Sequence, residues 1–153
     1  MNMETRLFGE ITIDANKIIN FNDGMIGFGD LKQFMLINDN EKPDSKILWL
    51  QSLDEGSIAF PVVDPLFLKP DYNPIVEDEL FKAIGEIVNN EVLVLTTITV
   101  PENIENITIN LKAPIVINPV TMKGCQIIVD NEDYLVRYPV YDILQANKEK
   151  KGE

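Results

Sequence analysis

A series of short apolar runs, alternating with period two and closed off by turn residues, constrains the fold of this chain more than any other feature. Such alternation is the mark of strands with one face buried and one face wet. In Glu10-Ile11-Thr12-Ile13-Asp14 the isoleucines face one way and the polar residues the other. Ile47 to Leu53, Ile58 to Val63, Val92 to Val100, Ile107 to Leu111, Ile115 to Ile117, Gln126 to Val129 and Tyr134 to Val140 read as further strands. The last of these puts Tyr134, Val136, Tyr138 and Val140 on one face. Turn chemistry separates them at Asn22-Asp23-Gly24, Gly27-Phe28-Gly29-Asp30, Asp54-Glu55-Gly56-Ser57, Lys123-Gly124 and Asp130-Asn131-Glu132-Asp133. The expected class is all-β: a compact, small β-barrel-like domain with one or two short helices.

The helices are expected in two places. In Val76 to Gly85, the acids Glu77, Asp78 and Glu79 suit a helix N-terminus, Leu80 and Ile84 share a face, and Gly85 is placed as a C-cap. Tyr141 to Lys148 carries Ile143 and Leu144, and the polar end beyond has nothing to bury. The domain is therefore drawn at 1–143, with 144–153 a frayed polar tail. Proline placement adds detail. Pro61 in Phe60-Pro61-Val62-Val63 cannot donate to a ladder, so its strand is expected to have a free side. Asp64 to Pro74 holds Pro65, Pro70 and Pro74 among Leu66, Phe67, Leu68 and Tyr72, and reads as a stiff extended arm laid over the barrel or offered to a partner.

Composition removes whole classes of chemistry. The 153 residues suffice for one core and no second full domain. There is no histidine, which excludes Ser-His-Asp and Cys-His nucleophiles and His-ligated zinc. Cys125 is the single cysteine, so no internal disulfide forms. No apolar h-region follows Met1, and no apolar run approaches the roughly 20 residues of a membrane span, so a soluble, cytoplasmic protein is expected. The net charge of −12 repels a phosphate backbone, which argues against direct nucleic-acid binding and for a basic partner, and the lack of a spanning run leaves no membrane partner expected.

Few residues could carry a reaction. Asp64 and Asp71, beside Phe67 and Tyr72, are the best acid pair, although acids beside prolines are ordinary turn chemistry. Asp130 to Asp133 lacks the spacing of a calcium loop and reads as a hairpin turn. Cys125 has only Lys123 nearby and reads as an inert, buried or half-buried thiol. Gly24, Gly27 and Gly29 enclose Met25, Ile26 and Phe28, a tight apolar corner rather than a phosphate cradle, and Trp49 reads as core. Between Asp71 and Glu105, eight acids stand against one base, Lys82. That segment is either a solvated surface or a steering patch for a cationic partner.

Six segments in register carry a resemblance: Phe8-Gly9-Glu10-Ile11, Asp23-Gly24-Met25-Ile26-Gly27-Phe28, Trp49-Leu50-Gln51-Ser52, Ala59-Phe60-Pro61-Val62-Val63-Asp64-Pro65, Asn110 to Asn118 and Tyr134-Leu135-Val136-Arg137-Tyr138-Pro139. Together they resemble the FliW family of bacterial flagellar assembly factors. The departure at Met25-Ile26, where the family has isoleucine followed by proline, costs some stiffness. The resemblance implies a non-enzymatic β-barrel protein without cofactor or metal. It further implies a cytoplasmic protein that binds newly made flagellin and, once flagellin is exported, binds and antagonises the RNA-binding translational repressor CsrA. On that reading Asp71, Glu77, Asp78 and Glu79 are candidates for the CsrA contact, and Phe60, Pro61, Phe67 and Tyr72 for apolar contact with flagellin. The alternative from another class is a small carbohydrate- or ligand-binding barrel that uses Asp64 and Asp71.

Overall fold

Leu48-Trp49-Leu50-Gln51-Ser52 shows how alternation becomes a wall. Leu50 points inward with no exposure, and Trp49 lies half-buried on the other face, edge-on to Phe8 at 6.2 Å between ring centroids. In the computed structural model, which describes residues 1–38, 46–74, 82–87 and 91–150, this segment is one of seven strands that close into a barrel. The wall runs through β3 (Ile19–Phe21), β4 (Gln33–Asn38), β5 (Leu48–Ser52), β6 (Ala59–Val63), β7 (Leu93–Thr99), β9 (Ile115–Asn118) and β10 (Lys123–Gln126). Closure is made twice: β7 pairs with β9 from Leu93↔Ile117 to Leu95↔Ile115, and β10 pairs with β3 in parallel at Gly124↔Phe21. A small hairpin, β1 (Asn2–Thr5) with β2 (Gly9–Thr12), forms a separate two-stranded sheet. Two short strands, β8 (Thr108–Ile109) and β11 (Tyr138–Pro139), extend from the far end of β7.

Among the described residues three apolar cores result. The barrel interior holds Ile19, Phe21, Met25, Phe34, Leu50, Val62, Leu95, Ile115 and Ile117. Phe21 and Phe34 meet edge-to-face at 5.0 Å, a geometry worth about 1 kcal/mol beyond burial. A second core fills the space under α1 (Pro65–Leu68) and α2 (Tyr141–Lys150), where Leu68, Tyr72, Ile107, Ile109, Leu111, Val129, Tyr134 and Val140 converge. A third, smaller one joins Ile84 to Val116 and Ile127. Asn118 ties that last core down from inside the protein. Its Nδ2 donates to the carbonyls of Ile84 and Glu86 at 3.0 and 2.9 Å, and its Oδ1 accepts from Val120 and Thr121.

Several expectations need correction. Asp64 to Pro74 is not an extended arm. Asp64 Oδ1 accepts the Leu66 N–H at 2.9 Å, and Pro65 opens α1, where a missing N–H costs nothing. Of Tyr134 to Val140 only β11 is a strand, because the chain makes a turn through Tyr134, whose N–H reaches Asn131 O. The strand expected at Gln126 to Val129 starts earlier, at Lys123, and the turn lies just before it, with Met122 at φ 55. The short helix expected over Tyr141 to Lys148 is α2, which runs to Lys150; Leu144 N–H bonds Val140 O, and Ile143 and Leu144 pack on the second core. Most of the helix expected over Val76 to Gly85 lies outside the described residues. Its last turn, 82–84, is a 3-10 turn, and Gly85 closes it at φ 83.

Gly124 shows how tightly the closure is built. A Cβ there would sit 2.7 Å from Cζ of Phe21, whose ring is fully buried. Gly124→Ala is expected to cost about 1–3 kcal/mol by overpacking, read as a lower urea midpoint at constant m-value. An unchanged midpoint would show that the β3–β10 seam has slack.

Candidate functional site

Two strands of the wall, β6 with Pro61 and β7 with Ile98, run side by side. β6 pairs with β7 at Val63↔Thr96 and Val62↔Thr97, a register that sets Pro61 beside Ile98. At this end of the pair lies an open groove of about 440 Å³. β6 gives Phe60 and Pro61 to its wall, β7 gives Thr97, Ile98 and Thr99, and Asn110, Lys112, Ala113 and Gln126 complete its floor. Three further apolar side chains, Ile26, Ile128 and Val136, stand at it with exposures of 54%, 60% and 58%. Exposed singly they would mean little, but around one groove they form an apolar surface of the kind proteins use for binding.

The local structure explains why these residues stay in place. Gly24 and Gly27, at φ 67 and 86, bend the chain so that Met25 is buried while Ile26 and Phe28 point out. A Cβ on Gly24 would collide with the Phe28 carbonyl at 2.5 Å. Phe28 packs edge-on against Phe60 at 5.2 Å, which fixes that wall of the groove. Gln126 spans the floor: its Oε1 accepts the Ile26 N–H at 2.8 Å and its Nε2 donates to Ala113 O at 3.0 Å. Asn110 Oδ1 caps the turn beneath by accepting from the N–H groups of Lys112 and Ala113. Lys112, the one charged side chain among the described residues that line the groove, donates to Asn131 O at 2.8 Å.

The residues singled out from sequence divide among different places. Phe60 and Pro61 line the groove. Phe67 and Tyr72 do not. Phe67 is half-buried against the second core, and Tyr72 is buried in it, donating its hydroxyl to Leu111 O at 2.6 Å and stacking with Tyr134 at 4.7 Å. Burial, with the neighbouring Tyr134 second, pushes the Tyr72 phenol above its ordinary range. Asp71 is exposed and pairs with Lys69 at 3.0 Å; that hydrogen bond holds its carboxyl below the usual range. Glu77, Asp78 and Glu79 lie outside the described residues. The other acids of the segment are exposed, but Glu86 and Glu91 precede β7 while Glu102 and Glu105 follow it. A strand of that length separates them by about 20 Å, so they do not share one patch.

An acid pair for glycoside chemistry is not assembled. Asp64 lines a smaller cavity of about 200 Å³ with Pro65, Leu66, Tyr72 and Pro74, and it is spent on capping α1; Asp71 is not part of that cavity. Cys125 is half-buried, and burial, aided by the charge of Asp23, pushes its thiol up to about 11. Asp130 to Asp133 forms a turn but not the hairpin expected, since β10 before it pairs with β3 and β9 and β11 after it pairs with β8. Among the described residues no helix is long and apolar enough to cross a membrane. Sequence reasoning missed Ile26, Ile128 and Val136. An apolar residue on an alternating face carries no mark that it will stay exposed.

With this geometry in view, comparison with known proteins is direct. The sequence model of the FliW protein family matches residues 2–140. The chain belongs to the FliW family. The flagellar assembly factor FliW of Lachnospira eligens is 49% identical over 150 residues, covering 97% of this chain and 99% of that protein. That of Lachnoclostridium phytofermentans is 42% identical over 154 residues, covering 100% and 98%. A crystal structure of the flagellar assembly factor FliW superposes with a TM-score of 0.83 at 27% identity, covering 92% of this chain and 97% of that one. The all-β barrel expected from alternation is thus the FliW fold.

Two measurements check the placement of side chains in this FliW-family chain. Tyr72→Ala is expected to cost about 3–5 kcal/mol, the scale of a buried aromatic truncation; a loss below about 1 kcal/mol would return Tyr72 to the surface. Labelling of Cys125 with a thiol-disulfide reagent should be slow at pH 8 and rise towards pH 11, since the thiolate is the nucleophile and its formation is delayed by burial. A rate that levels off near pH 8 would contradict the buried setting.

Proposed function

We propose that this chain is a flagellar assembly factor that works in the cytoplasm by binding proteins rather than by catalysis, with flagellin as one partner and a CsrA-type translational repressor as the other. Flagellin bound to it would leave less of it for CsrA, and export of flagellin would release it to capture CsrA and lift repression. The observation that carries the reading is the groove lined by β6 and β7. Among the described residues its lining is mostly apolar, with Lys112 as the one charged side chain and no carboxylate or thiol to do chemistry. Family membership supports it, since the relatives above are named flagellar assembly factors.

The groove is the surface we assign to flagellin, an amphipathic helix being the kind of ligand that fits an apolar channel. Phe60 and Pro61 belong to it from the original candidates, and Ile26, Ile128 and Val136 join them. Asp71 and the acids Glu77, Asp78 and Glu79 remain the candidate contact for a basic repressor, acting by charge and so most strongly at low salt.

Calorimetry separates the two assignments. Ile128→Asp, at a position 60% exposed, should weaken flagellin binding at least about tenfold while shifting Tm by no more than a few degrees. Reversing Asp71, Glu77, Asp78 and Glu79 to lysine should weaken CsrA binding and flatten its salt dependence, leaving flagellin affinity intact. Wild-type affinity for flagellin in Ile128→Asp, or for CsrA in the reversed variant, would remove the corresponding assignment.

A further inference from the structure

We propose that the groove reads a carboxylate on its partner: Lys112 is a specificity-determining residue that receives an acidic side chain of the docked flagellin segment, with the Asn110 amide as a second donor. The inference deepens, and rests on, the assignment of the groove as the flagellin-binding surface. The chain carries 25 acids against 13 bases, yet among the described residues no acid lines the groove and its one charged side chain is a cation.

The sequence Asn110-Leu111-Lys112-Ala113 puts that cation there and holds it. Leu111 and Ala113 are buried, which leaves Asn110 and Lys112, on either side of Leu111, half-buried at the groove. Asn110 Oδ1 accepts the N–H groups of Lys112 and Ala113, and Lys112 O accepts the Val129 N–H at 2.9 Å, so the backbone at 112 is held from both sides. At its tip, the Lys112 ammonium gives one of its three N–H groups to Asn131 O. The side chain is thus tied at both ends.

What the ammonium lacks is a counter-charge. Asp130, Glu132 and Asp133 are exposed on the turn that holds Asn131, but among the described residues no carboxylate oxygen lies within 4 Å of Lys112 Nζ. Two of its N–H groups find no acceptor there. The Asn110 amide is in the same position: its Oδ1 is spent on two backbone N–H groups, and its Nδ2 is a donor with no acceptor among the described residues. Ile26, Phe60, Pro61, Ile128 and Val136 supply the apolar part of the same surface. A segment that fills the groove shields these donors from water, and an ammonium desolvated without a partner is costly. A carboxylate beside the apolar face of the segment removes that cost through a charge-assisted hydrogen bond, strengthened where water is excluded. An amphipathic helix without such an acid would fit the shape and still leave the cation unpaired, so Lys112 discriminates between helices of similar shape.

The test is charge reversal across the interface, read by calorimetry. Lys112→Glu should weaken flagellin binding at least about tenfold, the scale of one charge-assisted hydrogen bond. Each Asp and Glu of flagellin is then changed singly to lysine. One of these reversals should weaken binding to the wild-type protein about tenfold and strengthen binding to Lys112→Glu about tenfold, a restoration that a merely structural role for Lys112 would not produce. Lys112→Met, which keeps an apolar stem and adds no repulsion, is the second arm: replacing the same flagellin acid by its amide should weaken binding to the wild type about tenfold and leave binding to Lys112→Met unmoved. If no reversal restores binding to Lys112→Glu and no amide replacement distinguishes Lys112→Met from the wild type, the inference is overturned and the groove keeps its assignment. If the wild-type protein binds no flagellin at all, that assignment falls and the inference falls with it.

Discussion

The structure depends on β7 being hydrogen-bonded along both edges at once. One edge gives Leu93 to Leu95 to β9 and then Ile98 and Thr99 to β8; the other gives Thr96 and Thr97 to β6. The first of these contacts closes the barrel and removes the open sheet edges that would otherwise pair with other chains. β7 thus serves three neighbours in seven residues. The strand that completes the barrel also gives Thr97, Ile98 and Thr99 to the groove.

The groove's surroundings are held in place by packing and hydrogen bonds. Phe60 stands on a strand, Gln126 ends another, and Gln126 and Asn110 spend their amides on the groove floor and not on solvent. Beneath them the second core reaches from α1 to α2 and holds Leu111 and Val129 in place. Asn118, buried with both amide ends satisfied, fixes the opposite side of the barrel at little net cost. Apolar side chains such as Ile128 can then remain exposed without collapsing inwards, since no space inside is left to take them.

Much of the barrel was legible as alternation. The strands at Leu48–Ser52, Ala59–Val63, Leu93–Thr99 and Ile115–Asn118 fall within a residue or two of the runs that announce them. What was missed has physical reasons. Ile19–Phe21 is too short for a period, and Gln33–Asn38 places Phe34 and Met35, neighbours in sequence, both in buried positions. The parallel β3–β10 pairing joins segments a hundred residues apart, which no local pattern records. Alternation misled at Tyr134 to Val140, where Tyr134 and Val140 are buried but Val136 is not. Three prolines suggested an extended arm, although Asp64 followed by Pro65 is also how a helix begins. Phe60 and Pro61 line the groove, but the free side expected from the proline is absent, since β6 has β5 on one edge and β7 on the other; the exposure of Ile26, Ile128 and Val136 left no local mark, because exposure of an apolar residue is decided by the fold.

The central proposal is that the groove lined by β6 and β7 is the surface through which this protein recognises flagellin. Methyl-labelled protein titrated with unlabelled flagellin tests it most directly. The account predicts that the methyl resonances of Ile26, Ile128 and Val136 shift or broaden together, while those of Ile84, Ile107 and Leu144, in the second and third cores, stay where they are. Perturbation centred away from the cleft, with the groove methyls unmoved, would contradict it.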